Sequence, residues 1–285
     1  MHIVKRIAAV GEALQFSLAN VPNLLSPLTV RKDIRYGTGP RHTLDVHTLP
    51  RGENRPVVIF WYGGSWTSGS KALYRFVGSA LARSGYCAVL PDYRLYPSVV
   101  FPHFVEDAAQ AVAYVRANAR DWGGNPSKLI VMGHSAGAHL AAMVALNRRY
   151  LEALGGSTRW ISALVGLAGP YSMLPNTDLF RAMFHSPYTP DDWQPLRHVD
   201  RDSPPTLLLH GQRDQWLSCS ESIRLRDALA NQGVDAEAEL FPTATHEDLV
   251  AAFSPLARHR APTLERCTRF IERVIGRALP AVKSP

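Results

Sequence analysis

The stretch Leu129-Ile130-Val131-Met132-Gly133-His134-Ser135-Ala136-Gly137-Ala138-His139 decides the reading of this chain. Its first four residues are apolar without alternation, which fits a strand buried on both faces, as in a parallel sheet. An alanine-rich helical run from Ser135 to Arg149 follows at once. The G-x-S-x-G string from Gly133 to Gly137 lies between them, and that setting is what makes such a string meaningful. A turn this tight forces the serine into strained backbone geometry, and flanking glycines let strand and helix approach closely. The strain presents the Ser135 hydroxyl at the top of a sheet, over a helix N-terminus. The N–H of Ala136 then points where an oxyanion would form. Ser135 is therefore the expected nucleophile.

The same alternation of buried strand and helix extends in both directions. Upstream, Arg31 to Leu49 reads as an antiparallel hairpin turning at Gly37-Thr38-Gly39-Pro40. Val57 to Tyr62 is a second apolar run, followed by a helix over 71–83 closed by Gly85, a strand over 86–90 and a helix over 104–118. Downstream come strands over 161–167, 206–209 and 236–241, with helices over 221–231 and 262–275. Strands alternating with helices predict an α/β fold, a mostly parallel sheet with helices on both faces. The stretch Pro170–Pro205 breaks the rhythm. Its prolines stand among Tyr171, Phe180, Phe184, Tyr188 and Trp193, so it reads as a small lid insertion of short helices over the strand ends. Residues 1–30 read as an amphipathic N-terminal helical segment packed on the body, and 31–285 as one catalytic domain carrying that insertion.

Composition narrows the function. The chain has 285 residues, a formal net charge of +7 and three cysteines, Cys87, Cys219 and Cys267. Its basic residues are scattered singly and no zinc-finger or aromatic-rich RNA-binding pattern appears, so no nucleic-acid partner is expected. Ionisable residues interrupt the apolar runs well before the roughly 18 residues of a membrane span. The sparse, odd cysteine count with no CxxC suggests a reducing, cytoplasmic setting. No dinucleotide fingerprint, P-loop or His-Glu metal motif is present, so catalysis is expected to need neither cofactor nor metal. A homodimer is compatible with the reading and is not specified by it.

A second motif strengthens the first. Acyl transfer makes a negative oxygen that needs two or three preorganised N–H donors. Tyr62-Gly63-Gly64-Ser65-Trp66, after a buried strand, offers N–H groups unobstructed by side chains. Gly63, Gly64 and Ser65 are thus expected beside Ala136 in an oxyanion hole, with Trp66 and His134 in the substrate pocket.

These motifs resemble the α/β-hydrolase superfamily, in particular esterases and lipases related to hormone-sensitive lipase, and the kynurenine formamidase and isoprenylcysteine methylesterase groups. Those families carry an H-G-G-G-W or H-G-G-x-W loop, matched by Tyr62 to Trp66. Their D-Y-R-L-x-P segment is matched by Asp92 to Pro97, and their G-x-S-A-G-A-H segment by Gly133 to His139. The departure is Tyr62, where the families usually have histidine. The similarity runs from about Arg31 to the C-terminal helix.

A serine hydroxyl is a poor nucleophile until a base takes its proton. His134 and His139 flank Ser135 too closely, His210 ends a strand and could approach, and His185 and His198 lie in the insertion. The resemblance implies His246, in the loop after the last strand, which also fits the order Ser…Asp…His. It likewise implies Asp214 as the acid that orients the base. Asp92, Tyr93, Arg94 and Asp107 resemble a family scaffold around these loops. The expected activity is a serine carboxylesterase acting on small-molecule esters of short to medium chain. An arylformamidase or amidase on the same triad and a non-catalytic hydrolase-like binding protein remain as alternatives.

Overall fold

A computed structural model describes residues 18–20 and 27–276 of the chain. The expected helix over 1–30 lies almost wholly outside the described residues. Of it, Leu18 and Ala19 are helical, with the Ala19 carbonyl accepting a hydrogen bond from Ser254 Oγ at 3.0 Å, whereas Thr29 and Val30 already belong to the first strand and are not helical.

Eight strands form one sheet: β1 (Thr29–Arg35), β2 (Thr43–Thr48), β3 (Arg55–Trp61), β4 (Cys87–Pro91), β5 (Gly124–His134), β6 (Ile161–Leu167), β7 (Thr206–Gly211) and β8 (Ala236–Phe241). Their spatial order is β1-β2-β4-β3-β5-β6-β7-β8. β2 runs antiparallel to both neighbours, and every pairing from β4 to β8 is parallel. The apolar runs become the strands buried on both faces: every residue of β3 and β4 is buried. The edges differ. β1 is exposed along nearly its whole length, and β8 carries Glu237 and Glu239, charges that discourage a further strand from pairing.

The path reverses direction at β3. The chain steps one way to β4 through α1 (Arg75–Arg83), then crosses back to β5 through α2 (His103–Asn118). Later steps go onward through α3 (Ala136–Leu146), the short α4 (Arg148–Glu152) and α7 (Ser220–Asn231). Right-handed crossovers then place α1 on one face and α2, α3 and α7 on the other. The last helix, α9 (Thr263–Ile275), returns to pack on β6 and β7. α3 is buried throughout because sheet, α2 and insertion cover it together.

Residues 170–205 hold two short helices, α5 (Asp178–Met183) and α6 (Pro190–Trp193), and a 3₁₀ turn over 195–198. A one-turn helix, α8 (Asp248–Ala251), lies between β8 and α9. The insertion's aromatics point inward. Phe184 and Trp193 are buried and meet Phe101 and Phe104, with ring centroids 5.7–6.3 Å apart. A point of reversal in an open parallel sheet leaves a crevice at the carboxyl ends of its strands. The loops after β3, β5, β7 and β8 all open into that end.

Candidate active site

Ser135 stands between β5 and α3 with φ 54° and ψ −122°. A non-glycine residue held there costs on the order of 1–3 kcal/mol, so its surroundings must impose it. They do so by hydrogen bonds and by contact. Its N–H donates to the Leu167 carbonyl at 2.9 Å, and its own carbonyl accepts from Ala138 and His139 at 2.9 and 3.2 Å. Gly133 and Gly137 stand so close that a Cβ on Gly133 would lie 2.1 Å from the Gly137 carbonyl oxygen. A Cβ on Gly137 would lie 2.0 Å from the Trp61 carbonyl oxygen. Helix, nucleophile strand and the end of β3 therefore touch through bare backbone, which drives Ser135 outward.

Asp214 and His246 follow β7 and β8, strands in register from Thr206↔Ala236 to Gly211↔Phe241. Their loops consequently leave the sheet side by side. His246 Nδ1 lies 2.7 Å from Asp214 Oδ2. A carboxylate accepts, so Nδ1 carries the proton and Nε2 keeps a free lone pair. The Asp214 side chain is 1% exposed. Burial disfavours its charge, but hydrogen bonds from His210 and His246 outweigh it and hold the carboxyl far below the usual carboxylate range. The N–H groups of Trp216 and Leu217 donate to its other oxygen at 2.8 and 2.9 Å.

Two further histidines brace this pair. His210 Nε2 lies 3.1 Å from Asp214 Oδ2, while His210 Nδ1 meets Ser222 Oγ at 2.9 Å. One carboxylate oxygen thus accepts hydrogen bonds from two imidazoles. His134 Nε2 donates to the backbone carbonyl of His246 at 3.0 Å, tying the serine turn to the His246 loop. Burial pushes the His134 imidazole down to about 3, with His246 adding to the effect, so it stays neutral and serves as a donor. Sequence reasoning missed both partners. The one available signal was His210 four residues before Asp214, at the very end of its strand.

Across from Ser135 lies the loop after β3. The Gly64 carbonyl accepts from the N–H groups of Thr67 and Ser68 at 2.9 and 3.1 Å, and from the Thr67 hydroxyl at 3.1 Å. A trans peptide points its C=O and N–H in opposite directions, so the Ser65 N–H faces away from the loop interior. Gly64, Ser65, Trp66, His134, Ser135, Ala136 and His246 line one cavity of about 400 Å³. Gly63 stands behind it, its Cα pressed toward the Ser135 side chain. Asp214 also lies behind, reached through His246. Among the described residues, no protein acceptor takes the N–H of Gly64, Ser65 or Ala136.

The insertion supplies the opposite wall through Pro170, Met173, Asn176, Thr177, Leu179 and Phe180. At the mouth, the exposed Trp216 donates its indole N–H to Glu247 at 3.0 Å. Trp66 is 2% exposed and packs edge-on against His139 and Phe184, so it is as much a core residue as a pocket wall. Asp248 accepts from the Thr245 N–H and pairs with Arg260, away from the His246 ring. Asp107 receives Arg94 in a fork, and Asp92 receives Tyr62 and the Lys71 N–H. Among the described residues, no group of three His, Cys, Asp or Glu side chains is placed to hold a metal. No helix among them is long and apolar enough to cross a membrane.

The model of the BD-FAE family matches residues 44–229, from β2 to α7. The chain belongs to the BD-FAE family. The matched stretch of this α/β-hydrolase family takes in Ser135 and Asp214, and His246 lies beyond it. Isoprenylcysteine alpha-carbonyl methylesterase ICME of Arabidopsis thaliana is 34% identical over 77% of this chain and 57% of its own length. Esterase LipQ of Mycobacterium tuberculosis is 30% identical over 95% of this chain and 70% of its own. This chain thus spans less than two thirds of the plant relative. Among solved structures, esterase B from Lactobacillus rhamnosis superposes with a TM-score of 0.79 at 20% identity, covering 95% of this chain and 94% of that one. That likeness shows the α/β-hydrolase fold.

Proposed function

We propose that the protein is a serine carboxylic-ester hydrolase that passes through an acyl-enzyme on Ser135. The observation that carries this reading is Ser135, strained outward into a cavity it shares with a histidine whose far nitrogen is fixed by a buried carboxylate. The esterase names of the family relatives support it.

In the first step Ser135 Oγ attacks the ester carbonyl carbon while its proton passes to His246 Nε2. The imidazolium is stabilised by Asp214, already ionised by its four donors. The carbonyl oxygen becomes an oxyanion between the N–H groups of Ala136, Ser65 and Gly64. The carbon–oxygen bond to the alcohol then breaks, and His246 returns the proton to the leaving alkoxide. In the second step water attacks the acyl-enzyme with His246 again taking the proton, and the acid leaves as Ser135 regains its own.

A preference for short- to medium-chain esters is part of the reading. The cavity lies near the small end of the roughly 300–1,000 Å³ that ligand pockets occupy. Met173, Leu179, Phe180 and Leu217 give it an apolar side. A cytoplasmic setting is supported by Cys87, Cys219 and Cys267, which stand as free thiols. The test is a p-nitrophenyl ester series from acetate to palmitate on the wild type and on Ser135→Ala. Turnover concentrated at the shorter chains and lost in Ser135→Ala is expected. Unchanged turnover in Ser135→Ala would remove the mechanism.

A further inference from the structure

Position 62 is where this chain departs from the families it resembles, and the structure gives its tyrosine a full set of partners. Tyr62 follows β3 immediately and begins the loop that carries Gly64 and Ser65. It is 0% exposed. Its ring lies between Tyr93 and Tyr74, with centroids 4.9 and 5.6 Å away and planes within 26°. Its hydroxyl donates to Asp92 Oδ1 at 2.8 Å and accepts from Arg41 Nη2 at 2.7 Å. Burial, with the neighbouring Asp92 carboxylate, pushes the phenol well above its usual range, so it keeps its proton as a donor.

The partners of that hydroxyl reach the far end of the same loop. Asp92 Oδ1 also accepts the backbone N–H of Lys71 at 2.8 Å. Arg41 Nη2 also donates to the Gly69 carbonyl at 2.9 Å, and Arg41 Nε to the Tyr93 carbonyl at 2.7 Å. Tyr93 closes the circuit by donating its hydroxyl to the Tyr62 carbonyl at 3.1 Å. Gly69 itself rests on the Tyr62 ring, with no room for a Cβ there. Entry and exit of residues 63–70 are thus fastened to one phenol, one guanidinium and one carboxylate.

We propose that Tyr62 is a positioning residue for catalysis, its hydroxyl fixing residues 63–70 through Asp92 and Arg41 so that the Gly64 and Ser65 N–H groups face the reacting carbonyl. This rests on the ester-hydrolase reading above. Tyr62 touches no substrate, because it is fully buried and is not one of the residues lining the cavity. Its effect falls on oxyanion stabilisation, where misplacement of donors by a fraction of an ångström already costs rate.

The test uses Tyr62→Phe, which keeps the ring packing, Arg41→Gln and the double variant. The readouts are kcat and KM for p-nitrophenyl acetate, the rate of Ser135 phosphonylation by a fluorophosphonate, and Tm. The probe needs an activated serine and an oxyanion site but no natural substrate. Each single variant is expected to lose about 10- to 100-fold in kcat and in phosphonylation rate, with KM within about threefold. The double variant is expected to be no worse than the weaker single variant, since both cut one circuit. Phosphonylation and kcat at wild-type rates in both single variants would overturn the proposal, as would losses tracking only the folded fraction. A wild-type chain that does not react with the probe would overturn the ester-hydrolase reading, and this inference with it.

Discussion

Gly137→Ala isolates the contact on which the Ser135 turn depends. The added Cβ would lie 2.0 Å from the Trp61 carbonyl oxygen and 2.6 Å from that of Tyr62, both of them backbone. Real Cβ contacts stay beyond about 3.0 Å, so α3 and the end of β3 must part by about 1 Å. The parting moves Ser135 and Ala136 away from the loop that carries Ser65. A shift of that size costs about 100-fold in rate even when it arises far from the chemistry, and here it arises within the site. The overpacking also destabilises by about 1–3 kcal/mol. The control is Gly155→Ala, whose new methyl meets nothing within 4 Å. Its cost comes from a φ of +70° alone, about 1–2 kcal/mol. The assay is kcat/KM for p-nitrophenyl acetate beside thermal melts of both variants. A loss of about 100-fold or more in Gly137→Ala, against wild-type kcat/KM in Gly155→Ala, is expected. Activity within threefold of wild type in Gly137→Ala would refute the argument that backbone contact sets the serine.

Two further outcomes follow from the buried polar groups. Asp214→Asn keeps the shape but presents an amide where two imidazole N–H groups and two backbone N–H groups need acceptors. It should lose on the order of 10⁴-fold in kcat, measured by ester turnover, and a loss under tenfold would remove Asp214 from the proton path. His47, His134 and His139 are buried and neutral, burial pushing them from an ordinary 6.5 to about 4, 3 and 4. Between those values and 6.5 the unfolded chain binds more protons than the folded one, so their contribution is intact above pH 6.5 and drains away as pH falls toward 4. Tm measured from pH 8 to pH 4.5 should be level down to about 6.5 and then fall steeply, and a flat profile to pH 4.5 would contradict the burial assigned to them.

The parts of the fold legible in the sequence were those set by burial. Strands such as β3 and β4 lie under layers on both sides, and only unbroken apolar residues satisfy that position, so composition alone marks them. Element ends were less legible. β5 begins at Gly124, five residues before its apolar run, because Arg55 and Pro56 pair with Gly124 and Asn125 across an irregularity in the ladder. No hydrophobic pattern marks Asn125-Pro126-Ser127-Lys128 as strand. The helix over 71–83 starts only at Arg75, and the run over 135–149 breaks at Asn147, which turns extended and caps α4 through its own side chain.

Within the site, the serine turn is a local device and its glycines announce it. Asp214 and His246 become neighbours only through the pairing of β7 with β8, which no short window of sequence displays. The histidines bracing them are less visible still. His134 is expected in the substrate pocket and too near Ser135 to be its base; it does line the cavity, and its Nε2 also reaches the His246 carbonyl, a contact that local sequence does not display. His210 read as a rival base and stands instead behind the carboxylate, its second nitrogen committed to Ser222. Tyr62 read as a departure from pattern, and its meaning lies in Arg41 and Asp92, brought together from β2's approach and β4's exit.

Ser135 as the nucleophile is tested most directly by peptide-level mass spectrometry after reaction with a fluorophosphonate. One adduct per chain is expected, on the peptide containing Ser135, formed far more slowly in His246→Ala. No adduct, or one on another residue, would contradict it.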